Sequence, residues 1–489
     1  MNNSSAHDHN LQELARQSMI DHGFDPEFPS AALEQVRQIT AQAKVIAPSV
    51  DVRDLRSLLW SSIDNETSRD LDQVEVAERL ADGSTKVLIG IADVDAFVPK
   101  DSPIDEHASK QTTSVYTGVR IFPMLPEELS TGLTSLLQDQ DRLAIVIEYV
   151  VDKNGGIVSS DLYRALVRNK AQLAYPAVGA WLEGRGEVPA VIAKSPEIQA
   201  QVKLQDEVAQ ALRKERYEHG ALNIQSSETQ PVFNNGQQVV GISSQEKNRA
   251  TDLIEDFMVA ANGVVARALL DVSSIRRIVK TPDRWDRIVQ LAAQHGTTLP
   301  ATPDSRSLNE FLTKQKASDP DHFPDLSLAV VKLMGPGEYV LEPPGDTGEG
   351  HFGLAVRDYT HSTAPNRRFP DMVTQRLVKA KLAKKPSPYS DAELEAIAQN
   401  CTAKENAAQK VEREMSKRIA AVAMSHRIGE TFDAIVTGET QHGTFVRIPS
   451  PHVEGMLQHG KDGLDVGDRL RVKLVNTNVE RGFVDFDRV

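Results

Sequence analysis

The sequence predicts an α+β protein: a small helical N-terminal module, a large mixed α/β domain and a C-terminal OB-fold β-barrel. Three observations lead there. Apolar residues recur at helical spacing close to the N-terminus. Strand and helix patterns then follow without regular alternation, which argues against a doubly wound sheet. The last stretch, about sixty residues, is a run of short strands punctuated by glycine, the size of a five-stranded barrel. The divisions fall at 1–50, 51–428 and 429–489.

Residues 1–10 are polar and read as irregular chain. Leu11, Leu14, Ala15, Ser18 and Met19 then form one helical stripe, and a second helix opens at Ser30 with Ala32, Leu33, Val36 and Ile39. Gly23, Pro26 and Pro29 separate them. The pair suits part of a helix-turn-helix module or, because the connection exceeds the usual tight turn, a plain helical cap. From residue 51 the period becomes two. Val74 and Val76 lead through Asp82-Gly83 to Val87, Ile89 and Ile91, a hairpin; residues 145–151, Asn154-Gly155 and Ile157 onward give a second. Helices are predicted around 194–217, 246–270 and 283–295, and Gly and Pro make 335–350 a loop.

A helix follows Arg368, with Pro370 in its first turn. Ser390 and Glu393 form a capping box that opens a long helix. Its apolar stripe runs through Leu394, Ile397, Cys401, Ala408, Val411, Met415, Ile419 and Val422, with Glu412 at the edge. After Gly429, residues 432–436, 444–448, 470–474 and 483–486 read as barrel strands. Phe432, His442, Phe445, Arg447 and Lys473 could offer stacking and phosphate contacts to a single strand, although some of these aromatics must fill the barrel.

Composition narrows the function. The 489 residues carry a net charge of −14, which excludes an indiscriminate polyanion binder but not a nucleic-acid enzyme with locally concentrated cations. Residues 357–385 hold eight Lys/Arg against two Asp. A lone cysteine, Cys401, rules out an intramolecular disulfide and fits a reducing cytoplasm. The N-terminus has neither the basic nor the apolar region of a signal peptide, and no apolar stretch is long enough to span a bilayer. A cytoplasmic protein without membrane association is expected.

The acidic stretch 63–73 organises the rest. Asp64, Glu66, Asp70 and Asp72 are four carboxylates within nine residues, and Asp70 and Asp72 share a face in an extended segment. Asn65 and Ser68 let Asp64 fold back onto them. Hard oxygen ligands of this kind suit Mg²⁺ or Mn²⁺. On these residues alone a solvated acidic loop is the stronger reading.

Five separated motifs shift the balance: residues 63–73, Ile89-Gly90-Ile91-Ala92-Asp93-Val94, 123–130 (Pro-Met-Leu-Pro-Glu-Glu-Leu-Ser), His351-Phe352-Gly353-Leu354-Ala355, and 359–371 with its Ala364-Pro365-Asn366-Arg367-Arg368. In this order, over most of 51–428, they resemble the catalytic domain of the ribonuclease II (RNB) family, and the barrel lies where that family has one. The resemblance implies a processive, Mg²⁺-dependent exoribonuclease (Mn²⁺ as an alternative ion). It would digest single-stranded RNA from a free 3′ end, release nucleoside 5′-monophosphates and need no obligatory protein partner. It implies that Asp64, Asp70 and Asp72, with Gln73, hold two ions roughly 4 Å apart. Asp70 and Asp72 would act in catalysis with Arg367 on the scissile phosphate, where Arg368 could share the role. Tyr116 would stack on the terminal nucleotide, worth roughly 1–3 kcal/mol per base. Tyr175 and Glu255 would contact the ribose, the group that separates RNA from DNA. Glu412 would lie near the 3′-end pocket.

The chain departs from the family pattern in five places. Gln73 replaces a usual fourth aspartate and removes one negative charge, which weakens the second ion. Asn65 stands where proline is common, and Asn366 replaces an apolar residue. Ile224 stands where some members place an aromatic opposite the tyrosine, which predicts a looser base clamp. About fifty residues of helical pattern precede the catalytic domain where the family typically has two cold-shock domains, of ordinary domain size. That predicts tolerance of structured RNA. The alternative is a catalytically weak or inactive RNB-fold RNA-binding protein, motivated by Gln73.

Overall fold

The computed structural model describes residues 4–42, 49–225, 228–234, 238–346 and 348–489. Helix α1 (Ser4–Asp21) begins earlier than its apolar stripe, so residues 4–10, expected to be irregular, are helical; residues 1–3 lie outside the described chain. Helix α2 (Ser30–Gln42) turns Ala32 and Val36 inward. Residues 43–48, part of the expected helical module, also lie outside it.

Strands β1 (Arg53–Asp54), β2 (Ser61–Asp64), β3 (Gln73–Arg79) and β4 (Thr85–Ala92) follow. The β3–β4 hairpin turns at Gly83, whose φ of +83° is a conformation that costs glycine little. Helix α3 (Pro103–Gln111) and the small ribbon β5 (Val115–Tyr116) and β6 (Ile121–Phe122) precede the second predicted hairpin, β7 (Asp141–Val151) and β8 (Ile157–Arg168). Strand β9 (Ala171–Ala174) runs directly into α4 (Tyr175–Leu182). Among the described residues the mixed sheet has seven strands in the order β1-β8-β7-β4-β3-β2-β9. The outer pairs β1–β8 and β2–β9 are parallel and the inner pairs antiparallel.

Helix α5 (Pro196–Glu218), the hairpin β10 (Glu228–Phe233) and β11 (Val239–Gln245), and helix α6 (Arg249–Ala268) come next. Val202, Leu212, Leu253, Phe257 and Val264 from α5 and α6 join Val74, Ile89, Ile91 and Ile147 of the sheet in the largest core. Strand β12 (Ser274–Ile278) precedes α7 (Trp285–Gln294), α8 (Ser305–Ser318) and α9 (Phe323–Met334), which share a separate core around Trp285, Phe311 and Phe323. The stretch 335–350, expected as loop, contains a strand instead. Strand β13 (Glu338–Glu342) pairs with β12, and only its flanks keep the Gly/Pro character.

Helix α10 (Phe369–Leu382) carries Pro370 in its first turn. Helix α11 (Asp391–Ser425) opens with the predicted box: Glu393 N donates to Ser390 Oγ and Ser390 N to Glu393 Oε2. Leu394 and Cys401 enter the main core; Ala408, Val411, Met415 and Ile419 pack with Leu11, Ala15 and Met19 of α1. The barrel closes in the order β14-β15-β16-β18-β17: β14 (Thr431–Thr440), β15 (Gly443–Pro449), β16 (His452–His459), β17 (Arg469–Asn478) and β18 (Phe483–Arg488). Phe432 fills its interior. Arg447, considered above for phosphate contact, instead makes a two-pronged ion pair with Asp325 of α9. Among the described residues, no helix is long and apolar enough to cross a membrane.

Candidate active site

The acidic stretch lies at the end of the sheet, where β2 runs out and β3 begins. Asp64, the last residue of β2, accepts hydrogen bonds on Oδ1 from Asn65 N (2.7 Å) and Ser68 Oγ (2.9 Å), so these two residues hold its carboxylate locally. Ser135 pins the loop from beside it: its hydroxyl donates to Arg69 O (2.5 Å) and accepts from Leu71 N (3.0 Å). Asp72 is buried. Its backbone carbonyl accepts from Ala92 N at 2.9 Å, and the next residue, Gln73, enters the β3–β4 ladder opposite Ile91.

The turn before α10 faces this loop. Asn366 N donates to Asp72 Oδ1 (2.9 Å) and Arg367 Nε to Asp72 Oδ2 (3.2 Å), so both carboxylate oxygens are held. Burial pushes the Asp72 carboxyl up to about 7, while the Arg367 charge and the Asn366 N–H restrain the rise. Arg367 leaves 46% of its side chain exposed, so its guanidinium can serve a second anion. Arg368 cannot do so as freely. It forms a two-pronged pair with Asp371 (2.9 and 2.8 Å), whose Oδ2 also accepts from Ala364 N, and this fixes the turn.

Tyr116 closes the group. Its hydroxyl donates to Asp70 Oδ2 (2.9 Å) and its backbone N–H to Glu412 Oε1 of α11 (3.2 Å). The residue is 39% exposed, so a ring tied at both ends still presents a surface. Burial of the hydroxyl and the Asp70 charge push its pKa upward, keeping it a donor. Asp64 is likewise raised by burial, against the Asn65 and Ser68 hydrogen bonds.

Burial pushes the pKa of the hydroxyl of Tyr175, the first residue of α4, upward, as do the charges of Asp64 and Glu75, while Arg367 opposes the rise. Glu255 lies on α6 and pairs with Lys247 at 2.7 Å; against the effect of burial, Lys247, Arg213 and Arg216 hold its carboxyl below the usual range. Ile224 packs against the α7–α9 core. The structure therefore gathers Asp64, Asp70, Asp72, Tyr116, Arg367 and Glu412 through direct contacts or shared charge, while Glu255 and Ile224 belong to neighbouring surroundings. Sequence reasoning missed Ser135, which has no local signature, and Glu75. Glu75 is a carboxylate at a buried position of a Val-rich strand, and that misplacement is itself a signal.

Among the described residues, no three His, Cys, Asp or Glu side chains converge closely enough to hold a metal ion together. Asp64, Asp70 and Asp72 are each turned to a protein donor. The donor chemistry nevertheless fits a hard cation: Asp64 and Asp72 are raised by burial, and both oxygens of buried Glu75 lack a hydrogen-bond partner.

The RNB domain matches residues 52–384, and the RNase II-type exonuclease C-terminal S1 domain matches 430–489. Ribonuclease R of Thermotoga maritima is 29% identical over 94% of the chain and 68% of its own length. Ribonuclease R of Escherichia coli is 28% identical over 94% and 60%. The chain thus spans some two thirds or less of these relatives. Among solved structures, Mycoplasma genitalium RNase R in complex with ribose methylated single-stranded RNA superposes with a TM-score of 0.85 at 23% identity, covering 97% of this chain and 77% of that one. Yeast Ssd1, a pseudonuclease, superposes at 0.70 with 16% identity, over 96% and 57%, so the fold also occurs in a protein of that description. With the RNB domain matched over more than half of its length, the chain belongs to the RNB family of RNase II-type exonucleases.

Proposed function

We propose that the protein is a processive, metal-dependent exoribonuclease that degrades single-stranded RNA from a free 3′ end to nucleoside 5′-monophosphates. The RNB domain and the ribonuclease R relatives support a 3′→5′ exoribonuclease. The observation that carries the reading is the joining of four distant segments: Asp72 by Arg367 and Asn366, and Asp70 by Tyr116, which Glu412 holds from behind.

Asp64, Asp70, Asp72 and the Gln73 amide oxygen would hold Mg²⁺ or Mn²⁺, two ions during catalysis. When bound, such ions supply a Lewis acid that favours water as nucleophile and steadies charge on the leaving oxygen. The remaining work falls to the chain's own groups. The exposed Tyr116 ring offers a stacking surface to the terminal base. Arg367 stands where its free N–H groups could steady charge on the scissile phosphate. Tyr175 and Glu255 are the candidates for ribose contact, the latter after exchanging its Lys247 partner for a hydroxyl. Arg368 and Asp371 hold the turn on which Arg367 rides. The segment ahead of the catalytic domain lies as α1 on α11 and α2 on α3, and with it we retain the reading that structured RNA is tolerated. The lone buried thiol fits a reducing cytoplasm.

The test is 5′-labelled single-stranded RNA incubated with Mg²⁺, with Mn²⁺ and with EDTA, beside DNA of the same sequence. Stepwise shortening of RNA alone, with metal only, is expected. RNA binding without release of mononucleotides under either metal would sink the proposal in favour of an inactive RNA-binding protein.

A further inference from the structure

A third segment, residues 134–136, ties the acidic loop to the turn that carries Arg367. Thr134, Ser135 and Leu136 are all buried. The Ser135 hydroxyl, which bridges Arg69 O and Leu71 N, thereby spans Asp70, the residue between them. One residue on, Leu136 N donates to Leu71 O at 2.9 Å, directly before Asp72. On the other side the Thr134 hydroxyl donates to Asn366 Oδ1 at 2.6 Å. That is shorter than its 2.8 Å approach to Leu129 O, which Thr134 N already supplies. Asn366 N in turn donates to Asp72 Oδ1, so the contacts close into a ring that runs through both sides of the site.

The ring is footed on the sheet. Arg142 of β7 donates from Nε to Ser135 O (2.9 Å) and from Nη2 to Gly132 O (3.1 Å). Asn169, just after β8, donates from Nδ2 to Leu136 O (3.0 Å). Such support matters because a misplacement of about 1 Å at a reacting centre can cost about a hundredfold in rate. We propose that Thr134 and Ser135 are positioning residues for RNA cleavage. Ser135 fixes the loop around Asp70; Thr134, through Asn366, fixes the distance between Asp72 and the Arg367 turn. This rests on the exoribonuclease reading above.

Single-turnover shortening of 5′-labelled RNA by the full chain tests it, beside RNA affinity by gel shift and Tm. Ser135→Ala and Thr134→Val should each slow shortening by about tenfold to a hundredfold, with RNA affinity within about threefold of wild type. Ser135→Cys, close in size but a weaker donor, takes the place of Ser135→Ala if that variant does not fold. Thr134→Ser keeps the hydroxyl and should hold the rate within about threefold of wild type. Asn366→Leu removes the same bond from the other side. It keeps the backbone donor to Asp72, and Asn366 Nδ2 has no hydrogen-bond partner among the described residues, so only the tie to Thr134 is lost. The double variant of Thr134→Val with Asn366→Leu should be no more than about threefold slower than either alone, since both remove one bond. A merely structural role would lower Tm and leave the rate of the folded protein unchanged. The inference is overturned if the Ser135 variant or Thr134→Val shortens RNA at the wild-type rate, if Thr134→Ser is as slow as Thr134→Val, or if the Thr134 and Asn366 losses multiply. A wild type that shortens no RNA would instead overturn the exoribonuclease reading, and the role of both hydroxyls with it.

Discussion

Arg367 and Asp72 meet at 3.2 Å across the gap between the acidic loop and the turn before α10, and Asn366 N donates to the other oxygen of the same carboxylate. Two segments nearly three hundred residues apart in the chain are thus clamped on one buried aspartate. Removing the charge while keeping the shape is the sharpest test of that clamp. Asp72→Asn should lower the rate of RNA shortening by about a hundredfold to a thousandfold. RNA affinity, measured by gel shift, should stay near the wild-type value. Equal loss of binding and cleavage would assign Asp72 a structural role only.

Metal should stabilise the protein more strongly at high pH. Asp64, Asp72 and Glu75 all have carboxyls raised by burial above their values in the unfolded chain. Each therefore contributes stability below the unfolded value, near pH 4 by ordinary carboxylate behaviour. That contribution is lost as pH rises through the folded value, about 7 for Asp72. On the proposed metal-dependent reading, bound Mg²⁺ or Mn²⁺ would offset the loss. The rise in Tm on adding metal should be larger at about pH 8 than at about pH 6. A rise independent of pH would refute the assignment.

The Arg447–Asp325 pair joins the barrel to α9, with side chains 12% and 30% exposed. Arg447→Ala and Asp325→Ala should each destabilise by about 1–3 kcal/mol, as for a hydrogen-bonded charged pair. The double variant should cost little more than either alone, since both remove one interaction. Denaturant melts of the four proteins check this. If Arg447 instead holds RNA, its replacement would weaken RNA binding while Asp325→Ala would not.

Structured RNA separates the proposed enzyme from one that stops at duplexes. A hairpin with a short 3′ overhang should be shortened into the stem. Accumulation of a product several nucleotides short of the stem would count against tolerance of structure.

Legibility in the sequence followed the range of the interactions involved. Helix α11 could be read because its stripe repeats at 3.6 residues and its capping box is local. The two hairpins could be read because alternation and turn residues sit side by side. Strand β13 could not, because glycines and prolines flank it and its partner β12 lies far upstream, on the other side of three helices. Strand β16 was hidden by Gly455 at an inward position and Met456 at an outward one, which break the apolar alternation. At the site, spacing exposed Asp64, Asp70 and Asp72. Tyr175 and Glu255 were visible only through family resemblance, since their local patterns are those of a helix start and a helix surface. Arg368 read as a second phosphate ligand because the chain cannot show that Asp371, one helical turn on, occupies it.

Near the C-terminal end of α11, Ala421 and Met424 belong to the barrel's core, whereas Ala408 and Val411 of the same helix belong with α1 and Leu394 with the sheet. The switch from helix to strand near residue 429 is therefore a border in the sequence but not in the packing. A fragment ending there would carry part of the barrel's floor into water, and one beginning there would be left without it. Residues 391–425 are a common footing for three cores, so the barrel and the domain before it cannot be separated cleanly at that point.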